Sequence, residues 1–446
     1  MKSFAPLLTA KNKAWFLALD LLLFGMAIFI MSSLRLSGDA GLSFSIESLL
    51  LMISVPVMQY IFGNYDLDHI GTGKQLFIRQ LMAFILTLMT ATVVIYLFGT
   101  NHEGLFGRGV LIGSLAIFSA ISLLYRRLVI AYFKTIKGNL KWLIIADPET
   151  QELVSKDFND LNFEGTLKFF NPDRGALALK EILEQGWTTL VISIKDSAHQ
   201  QNLGNLIIEA SCSSLTTITL VEFYERHLRK VPIQLLDYQW FIHSDGFDFL
   251  AHPVQLRLKR LIDIAISGSM LLIASPIMLL VAALIKIESK GPVLYNQTRT
   301  GQDNKPFTIY KFRSMRADAE KNGAQWAVQN DARITKIGKF IRLTRLDELP
   351  QLWNVLKGEM SFVGPRPERP EFNDILKKQL PYYDLRHTLR PGLTGWAQVL
   401  YPYGASIEDS KEKLQFELYY IKHSNILLDL LIILKTVAVV VGARGR

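Results

Sequence analysis

The segment Ile264–Ile285 contains no charged residue, and basic residues flank it at both ends. Arg257, Lys259 and Arg260 precede it, and Lys286 follows it. A segment of this length can cross a bilayer. Basic residues, however, mark the cytoplasmic side of a membrane helix. Since both ends carry them, we expect both ends on the same side of the membrane.

A serine–proline pair lies near the middle of this segment. Pro276 removes one backbone hydrogen bond from a helix, and the hydroxyl of Ser275 can bond the carbonyl that is left free. A helix that enters the membrane, bends at the pair and returns explains both the break and the flanking charges. We therefore predict a re-entrant helix over residues 257–288, with an ordinary membrane span as the alternative.

The N-terminal part of the chain predicts a bundle of membrane helices, because 50% of the 446 residues are hydrophobic and they are concentrated in long runs. The predicted spans are Ala14–Ser32, Leu42–Phe62, Gln80–Phe98 and Gly109–Tyr125. Basic residues before the first span and after the fourth place both ends of this bundle in the cytoplasm. Asp20, inside the first span, is interpreted as a helix-packing or interface residue in preference to a functional ion.

Residues 139–250 predict a Rossmann-like α/β domain, which leaves residues 1–138 for the bundle and 251–446 for a third domain. The predicted elements are the strands Trp142–Ile145, Leu167–Phe170, Thr188–Ile194 and Thr216–Val221 and the helix Gly175–Gln185. Dinucleotide binding would need a glycine-rich turn after the first strand. The turn here is Ala146-Asp147-Pro148-Glu149. Its acids would repel phosphate, so a structural or partner-binding role is favoured.

The segment Arg342–Gly358 carries two adjacent acids at the predicted start of a helix. Pro350 fits only in a first turn, so the helix is expected to begin near residues 347–349 and to end at Gly358. The residues with helical spacing that are expected to pack inward are Leu346, Leu349, Leu352, Trp353 and Leu356. Asp347 and Glu348 are then expected off the packed face, beside free amide groups that favour anions.

Two interpretations of Asp347 and Glu348 remain open. In the first, Thr344 and Asp347 form a capping box and Glu348 complements the helix dipole. In the second, one carboxylate attacks phosphorus and its neighbour helps to hold a divalent metal ion. Nearby basic residues favour the second, since phosphoryl transfer depends on positioning and charge neutralisation. The candidates for phosphate binding are Lys311, Arg313, Arg342, Arg345 and Arg366, the last between Pro365 and Pro367.

Four strings of residues resemble the bacterial sugar transferases, the monotopic polyprenyl-phosphate hexose-1-phosphate transferases. They are Lys311–Met315, Leu346–Gly358, Ser361–Pro367 and Arg390–Gln398. The resemblance covers roughly residues 255–441. The preceding spans and α/β domain look like the larger members of the family, and Tyr401–Ser406 looks like its exopolysaccharide branch.

The resemblance implies a two-step reaction. Asp347 would be a nucleophile that takes the sugar phosphate from a UDP-sugar and releases UMP. Undecaprenyl phosphate would then attack the covalent intermediate. The resemblance also implies a Mg²⁺ cofactor with Glu348 as its ligand. The residues that match the family's re-entrant helix and the loop after it are Lys259, Arg260, Asp263, Ser275, Pro276 and Arg299. Arg299 thereby becomes a further candidate for phosphate binding.

The expected fold is a membrane α-helical bundle, a Rossmann-like α/β domain, and a mainly α monotopic catalytic domain. That last domain would contain the re-entrant helix and interfacial C-terminal helices. The expected location is the bacterial inner membrane, with the catalytic domain facing the cytoplasm. The expected partners are a UDP-hexose, undecaprenyl phosphate and membrane lipid. A membrane glycosyltransferase that releases UDP, and an inactive scaffold or regulator, are the alternative functions.

The net charge of +9 is attributed to phosphorylated or lipid partners. Nucleic acid is not expected, because no basic low-complexity tail or zinc-ligand spacing accompanies the charge. The oligomeric state stays open, with a homodimer as one option. Cys212 is the single cysteine, which excludes an intramolecular disulfide, and it is predicted to be a small buried residue.

Overall fold

The computed structural model describes most of the chain. The described residues are 10–35, 46–65, 73–98, 108–137, 140–159, 165–194, 196–212, 215–236, 240–241, 253–316, 333–401, 404 and 406–441. The first residues of the predicted span Leu42–Phe62, and Pro402, Tyr403 and Ala405 of the exopolysaccharide-type stretch, lie outside them. The chain divides into two compact units, Met1–His227 and Leu228–Arg446.

The first unit begins with four apolar helices. They are α1 (Ala10–Arg35), α2 (Ile46–Ile61), α3 (Gly73–Phe98) and α4 (Arg108–Lys137). Three of them contain segments long and apolar enough to cross a membrane, Trp15–Leu34, Leu76–Tyr96 and Gly109–Tyr132. Helix α2 has 16 residues, fewer than the roughly 20 that a span needs. Within the described residues, the second predicted span is therefore a shorter apolar helix.

Asp20 lies inside this bundle and is fully buried. Its Oδ2 atom accepts hydrogen bonds from Arg126 Nη2 and from Tyr65 Oη, both at 2.6 Å. Its Oδ1 atom accepts one from Tyr125 Oη at 2.7 Å. A buried carboxylate with these partners is compensated in charge and in hydrogen bonds. The interpretation of Asp20 as a helix-packing residue is confirmed, since it ties α1 to α4.

The rest of the first unit alternates strands and helices. They are β1 (Lys141–Ala146), α5 (Pro148–Asn159), β2 (Thr166–Phe170), α6 (Gly175–Leu183), β3 (Thr189–Ser193), α7 (Ser197–Cys212), β4 (Thr216–Thr219) and α8 (Leu220–His227). The strands form one parallel sheet in the order β2-β1-β3-β4. The four predicted strands and the predicted helix are confirmed to within a few residues, except that Leu220 and Val221 begin α8. Cys212 is exposed at the end of α7, so its predicted burial is wrong.

In the turn after β1, the side chain of Asp147 accepts the hydrogen bonds. Asp147 Oδ1 accepts the amide of Thr150 at 2.8 Å, and its Oδ2 accepts the Thr150 hydroxyl at 3.0 Å. The carboxylate thus caps the start of α5, where a dinucleotide-binding turn would present free amides to a phosphate. The contacts agree with a structural role for this turn.

The second unit is mainly helical. Its helices are α9 (Pro253–Glu288), α10 (Lys336–Leu343), α11 (Gln351–Lys357), α12 (Pro370–Gln379), α13 (Trp396–Leu400), α14 (Ile407–His423) and α15 (Ile426–Val441). Strands β5 (Leu294–Thr300) and β6 (Pro306–Phe312) form an antiparallel hairpin. Strands β7 (Ser361–Val363) and β8 (Gly392–Thr394) form a short parallel pair.

Helix α9 contains the apolar segment Ile264–Ile285. Near both of its ends, α9 contacts other elements of the second unit. Near the start, Arg260 donates to the carbonyls of Val355 and Leu356 at 2.5 and 2.7 Å. At the other end, Glu288 Oε1 accepts the amide of Lys336 at 2.8 Å. Val281 and Ile285 of α9 share an apolar cluster with Phe312 and Ile341.

The middle of α9 is exposed and apolar. Leu272, Ile273 and Leu279 are 77%, 76% and 73% exposed. The hydroxyl of Ser275 donates to the carbonyl of Leu272 at 2.8 Å. In an unbroken helix the amide of residue 276 would bond that carbonyl, and Pro276 has no amide hydrogen. The predicted compensation of the proline by Ser275 is confirmed.

Three residues at the start of α9 anchor it to the rest of the unit. Lys259 Nζ donates to Asp429 Oδ2 of α15 at 2.5 Å and to the carbonyl of Val363 at 3.0 Å. Asp263 Oδ1 accepts the amide of Phe362 at 2.9 Å. Arg260 caps the C-terminal carbonyls of α11. These residues, which the family resemblance assigns to a re-entrant helix, connect α9 with α11, β7 and α15, all of which follow the two adjacent acids in the chain.

Candidate active site

Asp347 and Glu348 lie in a short 3-10 turn, Leu346–Glu348, between α10 and α11. Arg345, which precedes the turn, has a φ of 58°, a left-handed conformation. Such a conformation is uncommon for a non-glycine residue and costs about 1–3 kcal/mol. Pro350 directly precedes α11, and Gly358 ends it with a φ of 90°. The predicted helix end is therefore confirmed, while the 3-10 turn occupies the predicted helix start.

The later start of α11 changes which residues are buried. Leu352 and Val355 are buried, as are the polar Gln351 and Asn354. Trp353 is 52% exposed, so its predicted inward packing is wrong. The pattern fails because it counts the 3-10 turn and α11 as one helix with a single period. Asp347 is also buried, at 9% exposure, where the sequence predicted it off the packed face.

The capping box that the sequence allowed is not formed. Thr344 Oγ1 donates to the carbonyl of Phe340 at 2.9 Å and so belongs to the end of α10. The first interpretation of the two acids therefore lacks its defining contact.

Glu348 is held by cations from separate segments. Lys311 Nζ and Arg366 Nη2 both lie 3.0 Å from Glu348 Oε1. Arg345 Nη1 lies 3.9 Å from Glu348 Oε2. Burial alone would raise the pKa of Glu348, but Lys311, Arg366 and Arg345 outweigh it and hold this pKa well below its usual value. Glu348 is therefore ionised in the folded protein.

Asp347 has a different environment, although it is the adjacent residue. Its Oδ1 atom is buried and accepts no hydrogen bond from the described part of the chain. Burial and then the charge of Glu348 raise the pKa of Asp347, while Lys311, Arg342 and Arg345 oppose them. A carboxylate oxygen without hydrogen-bond donors is more nucleophilic than a solvated one. Within the described residues, Glu348 is therefore ion-paired, whereas the Oδ1 atom of Asp347 has no hydrogen-bond partner.

Lys311 reaches this site from β6 because Asn354 fixes that strand against α11. The Asn354 side chain donates to the carbonyl of Thr308 at 2.7 Å and accepts the amide of Tyr310 at 3.2 Å. Asn354 is fully buried. Burial lowers the pKa of Lys311, and the neighbouring Glu348 opposes that effect.

Arg366 reaches the site from the loop after β7, between Pro365 and Pro367. Its Nη1 atom lies 3.5 Å from Gln398 Oε1, in addition to the contact of Nη2 with Glu348. Arg299 of β5 supports the same loop, because its Nη1 atom donates to the carbonyl of Pro367 at 3.1 Å. The structure therefore brings the cations Lys311, Arg342, Arg345 and Arg366 near the acids. It places Arg299 behind the loop that carries Arg366.

Arg313 is directed elsewhere. Its Nη2 atom donates to the carbonyl and hydroxyl of Ser289 at 2.8 Å, and its Nη1 atom donates to the carbonyl of Lys290 at 3.3 Å. Arg313 is 6% exposed. These contacts fix the residues that directly follow α9, because Arg313 satisfies their carbonyl groups. A phosphate-binding role for Arg313 has no support in this geometry.

A buried ion pair that the sequence did not indicate lies behind Arg366. Arg386 Nη2 lies 2.8 Å from Glu417 Oε1, and Arg386 Nε lies 2.9 Å from Glu417 Oε2. The two residues lie in a 3-10 segment, Tyr383–Thr388, and in α14. Because they are far apart in sequence, no local pattern connects them.

The chemistry of the two acids is compatible with a Mg²⁺ ion. No group of three or more histidine, cysteine or acidic side chains within the described residues could hold a metal ion. Mg²⁺, however, is commonly bound by one or two carboxylates together with substrate phosphates and water. Asp347 Oδ1 has no described partner, and Glu348 Oε2 has only the distant Arg345 among its ion pairs in the described chain. Both acids therefore retain an oxygen that a cation could approach.

Comparison with known proteins identifies the family. Residues 254–443 match the family described as bacterial sugar transferase. An exopolysaccharide production protein of Rhizobium leguminosarum bv. phaseoli is 44% identical over 190 residues, which are 41% of this chain and 95% of that protein. The chain belongs to the bacterial sugar transferase family. The matched region contains all but the first residue of α9, both acids of the 3-10 turn, and the cations Lys311, Arg345 and Arg366.

Two further relatives have more specific names. A UDP-N-acetylgalactosamine-undecaprenyl-phosphate N-acetylgalactosaminephosphotransferase of Aeromonas hydrophila is 46% identical over 196 residues, 44% of this chain and 46% of the relative. A UDP-glucose:undecaprenyl-phosphate glucose-1-phosphate transferase of Klebsiella pneumoniae is 36% identical over 255 residues, 56% of this chain and 53% of the relative. The chain therefore aligns with about half of the length of these two relatives.

Proposed function

We propose that this protein transfers a hexose-1-phosphate from a UDP-sugar to undecaprenyl phosphate and releases UMP. The main support for this proposal is that the adjacent acids Asp347 and Glu348 lie in different electrostatic environments. Glu348 is clamped by Lys311 and Arg366, whereas Asp347 Oδ1 is buried without a described hydrogen-bond donor. The named activities of the Aeromonas and Klebsiella relatives support the same substrates.

In the first step, Asp347 attacks the phosphorus atom that bears the sugar. A bond forms between an Asp347 carboxylate oxygen and this phosphorus, and the bond from phosphorus to the bridging oxygen breaks. UMP leaves with the electrons of that bond. Lys311 and Arg366 are placed to balance the charge of the diphosphate, since phosphoryl transfer depends on positioned cations. Mg²⁺ bound through Glu348 would supply further charge neutralisation.

In the second step, an oxygen of undecaprenyl phosphate attacks the same phosphorus. The bond to Asp347 breaks, the carboxylate is regenerated, and the lipid leaves as a diphosphosugar. Dividing the transfer in this way lets a soluble donor and a lipid acceptor use one site in turn. The lipid product would begin the assembly of an exopolysaccharide or related glycan.

The contacts of α9 support a site at the membrane surface. Its two ends contact the same compact unit, while Leu272, Ile273 and Leu279 between them are exposed and apolar. A helix that enters the bilayer and returns leaves both of its ends on one face, together with α10 and α11, which those ends contact and which flank the acids in the chain. We assign that face to the cytoplasm, because basic residues flank the segment at both ends.

The released nucleotide tests this proposal against the alternatives. The purified protein with Mg²⁺ and undecaprenyl phosphate should release UMP from at least one of UDP-glucose, UDP-galactose, UDP-N-acetylglucosamine and UDP-N-acetylgalactosamine. Chromatography of the nucleotide products measures this directly. Release of UDP would indicate transfer of the sugar without its phosphate. The absence of any nucleotide product across the panel would favour the scaffold function.

The pH dependence of the rate should follow Asp347. This group must be ionised to attack, and its pKa is raised by burial and by Glu348. We therefore expect the rate to fall as the pH drops through a value above the usual range of an aspartate. Arg342 lowers the pKa of Asp347, so Arg342→Gln should move this acidic limb to higher pH. Single-turnover rates of UMP release between pH 4 and pH 8 measure the limb.

A matched substitution separates this effect from a change in overall charge. Lys378 is an exposed cation on α12, and Lys378→Gln removes the same charge away from the acids. An acidic limb that moves equally in both variants would argue against Asp347 as the titrating group.

A further inference from the structure

The main chain of Arg366 is held from both sides by the buried pair Arg386 and Glu417. The amide of Arg366 donates to Glu417 Oε1 at 3.3 Å. The carbonyl of Arg366 accepts a hydrogen bond from Arg386 Nη2 at 2.7 Å. Both hydrogen-bonding groups of this one residue are therefore satisfied by the two members of the same ion pair.

The pair is itself fixed in place. The Arg386 and Glu417 side chains are 5% and 6% exposed. Arg386 Nη1 donates to Tyr383 Oη at 2.6 Å, and that hydroxyl donates to Asn373 Oδ1 at 2.8 Å. Each guanidinium nitrogen thus has a described acceptor. A bidentate arginine–carboxylate pair gives directional as well as electrostatic constraint.

The prolines on both sides of Arg366 limit the hydrogen bonds that can fix the backbone of this loop. Pro365 and Pro367 have no amide hydrogen and a restricted φ, so Arg366 supplies the amide donor of this tripeptide. Fixing its amide and carbonyl fixes the direction in which its side chain leaves the backbone. That side chain ends 3.0 Å from Glu348 Oε1.

We infer that Arg386 and Glu417 are positioning residues, which act on the transfer reaction only through the placement of the Arg366 guanidinium. The inference rests on the proposed function, because it assigns Arg366 to the charge of the donor's diphosphate. Neither member of the pair is expected to touch substrate. A buried ion pair contributes little net stability compared with apolar residues of the same volume, so positioning explains the pair better than stability does.

The simplest competing explanation is that the pair only stabilises the unit, and a double-mutant cycle separates the two. The first variant is Glu417→Gln, which keeps the shape of the side chain and removes its charge. The matched control is Glu412→Gln on the same helix, α14. Glu412 lies 3.0 Å from Lys230 in a partly buried ion pair and has no described contact with Arg366.

We expect Glu417→Gln to lower kcat for nucleotide release by about 10- to 100-fold, since small displacements of a positioned group have effects of this size. Glu412→Gln should stay within about twofold of the wild type, as for a residue that does not touch the site. In an Arg366→Ala background, Glu417→Gln should cause no further loss beyond about twofold, because the group it positions is gone. A loss of the same factor in both backgrounds would overturn the inference.

Two additions keep the cycle decisive. Tyr383→Phe removes only the hydroxyl that holds Arg386 Nη1, so it tests the same connection if Glu417→Gln does not fold. It should lower kcat by roughly 3- to 10-fold, as expected for one lost hydrogen bond, and this loss should also vanish in the Arg366→Ala background.

The second addition is a binding measurement. The same double-mutant cycle is carried out in an Asp347→Asn background, with the affinity for UDP-glucose measured by calorimetry. Additive affinities would again overturn the inference, whereas release of UDP by the wild type would overturn only the proposed reaction.

Discussion

Asp347→Asn is expected to reduce UMP release by roughly 10⁴-fold or more, the range seen when a covalent nucleophile is removed. The amide that replaces the carboxylate has nearly the same shape but cannot attack phosphorus. Intact-protein mass spectrometry after an acid quench gives a second measurement. Wild-type protein mixed with a UDP-sugar and Mg²⁺, without undecaprenyl phosphate, should gain the mass of one phosphosugar. The variant should gain none.

The stability of this variant should distinguish a chemical defect from unfolding. Folding raises the pKa of Asp347, so the ionised carboxylate opposes folding at neutral pH, above its usual pKa. Replacing it with a neutral amide removes this opposition. We therefore expect the thermal midpoint of Asp347→Asn to equal or exceed that of the wild type, as at other active sites where function is maintained at some cost in stability.

Two control substitutions locate the effect. Asp374→Asn makes the same chemical change at an exposed position on α12 and should leave the rate unchanged. Glu348→Gln removes the anion that holds Lys311 and Arg366 but retains Asp347, the proposed nucleophile. It should slow the reaction while still allowing the covalent adduct to form. An adduct on Asp347→Asn, or full activity of that variant, would contradict the proposed role of Asp347.

The features that the sequence predicted correctly depend on local chemistry. Gly358 ends α11 because the left-handed conformation there, with a φ of 90°, suits glycine. Ser275 bonds the carbonyl that Pro276 leaves free, three residues before it in the same helix. The parallel strands of the first unit are recognisable as short apolar runs between turns. In each case the interacting groups lie within a few residues of one another.

The features that the sequence missed depend on contacts between distant segments. The sequence grouped Arg313 with the other candidates for phosphate binding, but in the structure Arg313 donates to the carbonyl of Ser289, just after α9. Asn354 resembled an ordinary helix residue, yet it sets the position of β6 and hence of Lys311. The pair of Arg386 and Glu417 joins a 3-10 segment to α14. No periodicity can reveal such contacts, because charge and spacing do not specify which partner a side chain meets in the fold.

Cysteine labelling should show that both ends of α9 lie on the cytoplasmic face of the membrane. Single cysteines are introduced in a Cys212→Ser background at Val254 and at Ile287, which are 74% and 82% exposed. For a re-entrant helix, both should react with a membrane-impermeant maleimide in inside-out vesicles and neither in right-side-out vesicles. A cysteine at Asn101, which lies in the sequence between the predicted spans Gln80–Phe98 and Gly109–Tyr125 and is predicted to face outward, should show the opposite pattern. A cysteine at Leu272 should be protected in both preparations.

The contacts of α9 explain why a full crossing is disfavoured. Moving one end to the opposite face would separate Val281 and Ile285 from Phe312 and Ile341, at a cost of about 1.5–3 kcal/mol for each apolar side chain exposed. It would also remove Glu288 from the amides at the start of α10. The exposed apolar middle of α9, in contrast, would contact lipid whether the helix re-enters or crosses the membrane. If Val254 and Ile287 were nevertheless labelled from opposite faces, the site could not meet both a cytoplasmic UDP-sugar and the lipid phosphate in the manner proposed.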